Sequence, residues 1–143
     1  MDALYTAQVR AKGGRGGKIS SSDGVLELPL AIPKGLGGPG GEATNPEQLF
    51  AAGYAACFEG ALQLAARKAG VEAKEAVVTA QVSIFKDEPS YKLGVKLQIY
   101  VPEADLAQVR DLAQQAHQVC PYSKATRGNI DVELEVLEAE PSR

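Results

Sequence analysis

The sequence predicts an α+β fold in the order β-β-β-α-β-β-α-β, built as a single domain over residues 1–143. Three observations lead there. Short segments in which apolar and polar residues alternate flank two stretches with helical spacing. The longer of those stretches carries no charge between Glu47 and Glu59. The strands come in groups joined by glycine or proline turns, not singly between helices.

The first three strands are read at Leu4–Arg10, Lys18–Ser22 and Val25–Leu30, punctuated by Gly13-Gly14-Arg15-Gly16-Gly17 and Ser22-Asp23-Gly24, as a hairpin or small meander. Residues 33–45, PKGLGGPGGEATN, hold five glycines and two prolines and predict a mobile or specially shaped surface loop. A helix then starts with Asn45 as N-cap, Pro46 at the first helical position and Gln48 placed for a capping-box-like bond, and it ends at Gly70. Its small, uncharged first half predicts burial on every side, so something besides this chain's own sheet must cover one face.

Two alternating strands follow, Val78 to Ile84 and Leu93 to Val101, as an antiparallel hairpin with one wet face. Leu106, Val109, Leu112, Ala113, Ala116 and Val119 then repeat at helical spacing from about Glu103 until Pro121 stops the helix. A last strand alternates from Ile130 to Val136, and the tail 138–143 is expected to fray.

The length suits one core of ordinary size. A net charge of −3, with both signs interspersed, gives no footprint for nucleic acid or an anionic membrane surface. No apolar stretch is expected to reach the roughly 18 residues of a membrane span. The opening MDALYTAQVRAKGG lacks the pattern of a signal peptide, so a cytoplasmic location is expected. In that compartment two cysteines are read as reduced, reactive or redox-cycling thiols.

Some motifs fail. GGRGGKIS has no glycine five places before Gly17, and Ile19 stands where a phosphate loop needs Ser or Thr. His117 is the only histidine, which leaves a histidine-based zinc site or a Cys-His relay without a second member, and it is read as facing solvent or the core edge. Cys57 and Cys120 remain. Each, taken alone, is equally a small packing residue. A reactive thiolate needs a nearby positive charge, and Arg15, between two glycine pairs, is the candidate source; its bland alternative is a solvated turn residue. Glu47 lies ten residues before Cys57, about 15 Å along a straight helix. The two therefore meet most readily if the helices of two chains lie antiparallel in a two-fold dimer; the alternative is a carboxylate that merely complements the helix dipole.

ATNPEQLFAAGYAACFEGAL at 43–62, VCPYSKATRGNIDVEL at 119–134 and GGRGGK at 13–18 together resemble the organic hydroperoxide resistance proteins of the Ohr/OsmC family, over nearly the whole chain. The resemblance implies an intertwined homodimer with two long central helices wrapped by antiparallel sheets. It implies a thiol peroxidase that reduces organic hydroperoxides to alcohols in defence against oxidative stress. Cys57 would be the peroxidatic cysteine, Cys120 the resolving one, Arg15 the activating cation and Glu47 the carboxylate that holds it. It implies no metal, flavin or haem, and an external dithiol reductant, dihydrolipoyl groups on lipoylated proteins. Lys124 departs from the asparagine of that family, and the loop at 35–41 is unusually rich in glycine. An apolar mouth would favour alkyl peroxides, with Leu36, Phe50 and Tyr122 as candidate substrate-binding residues that could equally be packing residues. The alternatives are an OsmC-type peroxidase of different peroxide preference, a non-catalytic thiol redox sensor or binding module, and a structural dimer with packing cysteines.

Overall fold

The structure, a computed structural model, describes residues 1–143, which divide into two compact units, Met1–Leu49 and Phe50–Arg143. In the first unit β1 (Val9–Lys12), β2 (Lys18–Ser21) and β3 (Glu27–Pro29) form an antiparallel sheet in that order. The predicted first strand began at Leu4, yet Leu4 and Tyr5 are exposed and pairing starts only at Val9, opposite Ser21. The reason lies in β2. The last bond on that side runs from the Ser22 amide to the Gln8 carbonyl at 2.9 Å; beyond it the chain turns, closed by the Gly24 amide on the Ser21 carbonyl at 3.0 Å, so β2 has no further residues to pair with the segment before Gln8.

Between β1 and β2 the chain makes a short 3-10 turn, Gly14–Gly16, closed by the Gly17 amide on the Gly14 carbonyl at 3.2 Å. A Cβ at Gly17 would overlap the Lys12 carbonyl oxygen and lie 2.7 Å from the Gly13 Cα. Both neighbours are backbone, so no side-chain adjustment relieves the clash. The glycine-rich loop is shaped: it contains a 3-10 turn at Lys34–Leu36, and its ends are tied by Ala31 N–H to Thr44 O at 3.0 Å and Thr44 N–H to Pro29 O at 3.1 Å.

The long helix α1 (Pro46–Ala69) has the predicted bounds. The Asn45 side chain accepts from the Gln48 amide at 2.8 Å, satisfying one of the orphan donors of the first turn. The Gln48 side chain does not return to Asn45; its Oε1 accepts from the Thr44 hydroxyl instead. At the other end Gly70 takes a left-handed φ of 71°, and Gly70 and Val71 donate to Arg67 and Ala66 in a Schellman arrangement. By length and composition α1 is long and apolar enough to cross a membrane, contrary to the sequence expectation. Its Tyr54, Phe58, Leu62, Ala65 and Ala66 instead form the centre of a protein core.

In the second unit β4 (Val77–Asp87) and β5 (Ser90–Tyr100) form the expected antiparallel hairpin, in register from Val77 opposite Tyr100 to Asp87 opposite Ser90. Then come α2 (Leu106–Val119), α3 (Pro121–Thr126) and β6 (Val132–Val136). Two features correct the expectation. The second sheet is mixed, not antiparallel, because β6 runs parallel to β5 from Val95 opposite Val132 to Ile99 opposite Val136. Pro121 also does more than stop a helix: it occupies the first position of α3, where its missing N–H costs nothing. α2 starts at Leu106 because the Asp105 side chain accepts from the Gln108 amide and caps it there. Val95, Leu97 and Ile99 of the sheet, and Val101 just past its end, pack with α1 and with Val109, Leu112, Ala113 and Ala116 of α2 in one core.

That core takes only one side of α1. Ala52, Ala56 and Gly60, spaced four apart, are exposed, and Leu64 continues their row at 38% exposure. The expected burial on every side is thus not supplied within this chain, whose own core covers one face.

Candidate active site

The tight turn after β1 carries Arg15. Arg15 Nη1 and Nη2 donate to Glu47 Oε1 and Oε2 at 2.8 and 3.0 Å, a two-pronged pair within the first unit. Such a fork fixes the plane of the guanidinium as well as its position. The Arg15 hydrogen bonds hold the Glu47 carboxyl below its ordinary range, with partial burial opposing, and the same bond raises the Arg15 pKa.

The sulfurs meet within the second unit. Cys57 lies mid-way along α1 and is half-buried; Cys120 is buried. Cys120 caps the end of α2 and the start of α3, with φ −65° and ψ 123°. That extended backbone follows from Pro121, whose ring disfavours helical geometry in the residue before it. The elbow turns the Cys120 thiol toward Cys57, and the two Sγ atoms stand 3.6 Å apart, both free thiols. Burial pushes the Cys57 thiol above its ordinary pKa, the Tyr122 backbone N–H pulls it down, and Cys120 adds to the rise. Arg15 is in the first unit, paired with Glu47.

Phe50 and Tyr122 do come together. Their rings stand edge-on at 6.3 Å, and Tyr54 touches both, at 6.3 Å from Phe50 and 5.7 Å from Tyr122. Gly53 makes room for this group, since a Cβ there would lie 2.9 Å from the Tyr122 Cζ. Leu36 sits apart from them in sequence, 39% exposed on the 3-10 turn of the first unit.

Sequence reasoning missed a polar set behind the sulfurs. The fully buried Tyr54 hydroxyl bonds Ser123 Oγ at 2.8 Å and Thr126 Oγ1 at 3.2 Å, and Ser123 Oγ bonds His117 Nδ1 at 2.7 Å. His117 lies at the core edge as read, but it is tied in; burial, and then Arg127, hold its pKa below the ordinary histidine value. One signal was available. Tyr54 precedes Cys57 by three residues and Ser123 follows Cys120 by three, offsets that put each polar group on the helical face of its sulfur. No group of three or more His, Cys, Asp or Glu side chains is gathered as metal ligands would be.

Residues 38–135 match the family model described as OsmC-like protein. That span includes Glu47, Cys57 and Cys120 and leaves Arg15 outside it. The chain is 57% identical over 141 residues to the organic hydroperoxide resistance protein OhrA of Bacillus subtilis, covering 94% of this chain and 97% of that protein. Among solved structures it resembles an organic hydroperoxide resistance protein from Legionella pneumophila, with a TM-score of 0.89 and 48% identity over 94% of this chain and 98% of that one. It is equally similar to one from Vibrio cholerae, solved with captopril in one of its active sites, with a TM-score of 0.89 and 48% identity over 97% and 96%.

Proposed function

The chain belongs to the OsmC-like family, among the organic hydroperoxide resistance proteins, and from that premise we propose that it is a cysteine-based peroxidase reducing organic hydroperoxides to alcohols. The observation that carries this reading is the approach of two free sulfurs to 3.6 Å, one half-buried and one buried. A thiol pair so disposed needs a movement of only about 1.5 Å to reach disulfide bonding distance.

The Cys57 thiolate attacks the outer oxygen of the peroxide, the O–O bond breaks, and the leaving alkoxide takes a proton to become the alcohol. Cys57 is left as a sulfenic acid, two electrons more oxidised. The Cys120 thiol then gives up its proton and bonds to the Cys57 sulfur, the sulfenic hydroxyl departs as water, and a Cys57–Cys120 disulfide results. An external dithiol reopens it by exchange and becomes a cyclic disulfide itself; dihydrolipoyl groups on lipoylated proteins fit that chemistry. Burial raises the Cys57 pKa, so the thiolate needs a compensating positive charge; in this reading that role, and the steadying of charge on the leaving oxygen, is assigned to Arg15, oriented by Glu47. No metal or organic cofactor takes part. The edge-on pair Phe50 and Tyr122 is assigned to an apolar mouth that favours alkyl peroxides, and Leu36 is a further candidate for it.

The working form in this reading is a homodimer in the cytoplasm, with the uncharged row Ala52, Ala56, Gly60 and Leu64 of α1 against its counterpart. A second reading, a thiol sensor that oxidises once without turnover, draws on the burial that raises the Cys57 pKa.

Intact mass of the pre-reduced protein after one equivalent of cumene hydroperoxide, beside hydrogen peroxide, tests both. The peroxidase reading expects rapid loss of two hydrogens in the wild type, an oxygen adduct in Cys120→Ser and no change in Cys57→Ser. It also expects faster reaction with the organic peroxide and repeated turnover with dihydrolipoamide. Slow, stoichiometric oxidation without turnover selects the sensor.

A further inference from the structure

The helix that Cys120 caps is short, and nothing in six residues of backbone fixes its position. Its fixed points are buried side-chain hydrogen bonds. Ser123, with no exposed surface, is hydrogen-bonded to Tyr54 of α1 at 2.8 Å and to His117 of α2 at 2.7 Å, and Thr126 adds a bond to Tyr54 at 3.2 Å. Thr126 also donates to the Ser123 carbonyl at 3.1 Å, and Arg127 Nη2 donates to the His117 carbonyl at 2.6 Å. No buried side-chain polar atom in the protein lacks a partner, and removing one member strips a bond from each of its neighbours. The same short helix bears the two groups that act on Cys57: the Cys120 thiol at its cap and the Tyr122 N–H in its first turn.

We propose that Tyr54, Ser123 and His117 are positioning residues that pin α3 between α1 and α2 so that Cys120 captures the Cys57 sulfenic acid before a second peroxide does. The inference rests on the peroxidase reading and adds residues outside the Cys-Cys-Arg-Glu set. None of the three needs to touch substrate. Capture is a competition: condensation with Cys120 releases water and forms the disulfide, whereas a second peroxide takes the sulfenate to a sulfinic acid and yields another alcohol. Loosening α3 lowers the fraction of time the sulfurs are in reach, and so shifts the balance toward overoxidation.

The test is single-turnover kinetics on the reduced protein with cumene hydroperoxide, following peroxide loss, disulfide formation and sulfinate by quenched mass analysis. The proteins are wild type, Tyr54→Phe, His117→Ala and His117→Asn. Tyr54→Phe removes one oxygen and keeps the ring; His117→Asn keeps a hydrogen-bonding nitrogen near the Nδ1 position. The expected result is disulfide formation slowed by about fivefold in His117→Ala, the effect of losing one ordinary hydrogen bond, and by at least as much in Tyr54→Phe, which loses the bonds to both Ser123 and Thr126. Peroxide loss should be slowed less. Sulfinate should accumulate at peroxide levels the wild type survives, and His117→Asn should recover to within about twofold of wild type. Disulfide formation at the wild-type rate in both Tyr54→Phe and His117→Ala overturns the proposal. So does an equal slowing of both steps with a matching fall in the urea midpoint, which would mark general loosening. A wild type that forms no Cys57–Cys120 disulfide would bring down the peroxidase reading and this proposal together, a failure distinct from the other two.

Discussion

Glu47 shows how a single residue can be read through its titration. Arg15 holds its carboxyl below the ordinary range, so the folded form binds that proton less readily than the unfolded chain. The stability the pair contributes is present above the unfolded carboxylate value and is lost as the pH falls through the folded one. Arg15 is 41% exposed at its side chain, which keeps the contribution small. Glu47→Gln is therefore expected to cost less than about 1 kcal/mol at pH 6, and the cost should shrink as the pH is lowered past the folded pKa. Urea midpoints at several pH values check it. The loss of kcat/KM with an organic hydroperoxide should be larger, roughly tenfold or more, because an unheld guanidinium no longer points where charge develops.

At the scale of elements, much of the fold was legible because local chemistry decided it. Asn45, Pro46 and Gly70 mark the two ends of α1, and those marks act within a turn of the residues they terminate. Asn45→Ala should accordingly cost about 1 kcal/mol, seen as a lower urea midpoint at an unchanged slope. Pro121 was read as a stop because a proline ends one helix and starts another with the same residue; only the chain beyond it tells which. The direction of β6 was not legible either, since Val132, Leu134 and Val136 alternate identically in a parallel or an antiparallel ladder. The sulfurs, the arginine and its carboxylate stood out by type and by neighbours. Tyr54, Ser123 and Thr126 did not, because their bonds close separations of 69 and 72 residues and each looks alone like an ordinary polar residue.

For the molecule as a whole, the telling surface is the back of α1. A 24-residue helix buries one side in its own core and leaves Ala52, Ala56 and Gly60 bare. Small residues let a second helix approach closely, and a charge introduced among them must be buried unpaired or keep the helices apart. Ala56→Glu is expected to convert a dimer into monomers in sedimentation velocity and to lower peroxidase activity with it. A wild type that sediments as a monomer at micromolar concentration would remove the dimer from the proposed function.

The parallel pairing of β6 with β5 also orders events during synthesis. The hairpins β1–β2 and β4–β5 can close as soon as their second strands leave the ribosome, because their partners are neighbours in sequence. β5 cannot acquire its other neighbour until residues 101–131 have been made and Val132–Val136 have followed. While 63 of the 143 residues are added, then, Cys57 is already in the growing chain and Cys120 and the edge strand are not. The nascent protein passes through a stage in which its first thiol is exposed to oxidants with no second thiol to rescue it, and that stage ends only near the last residues to be added.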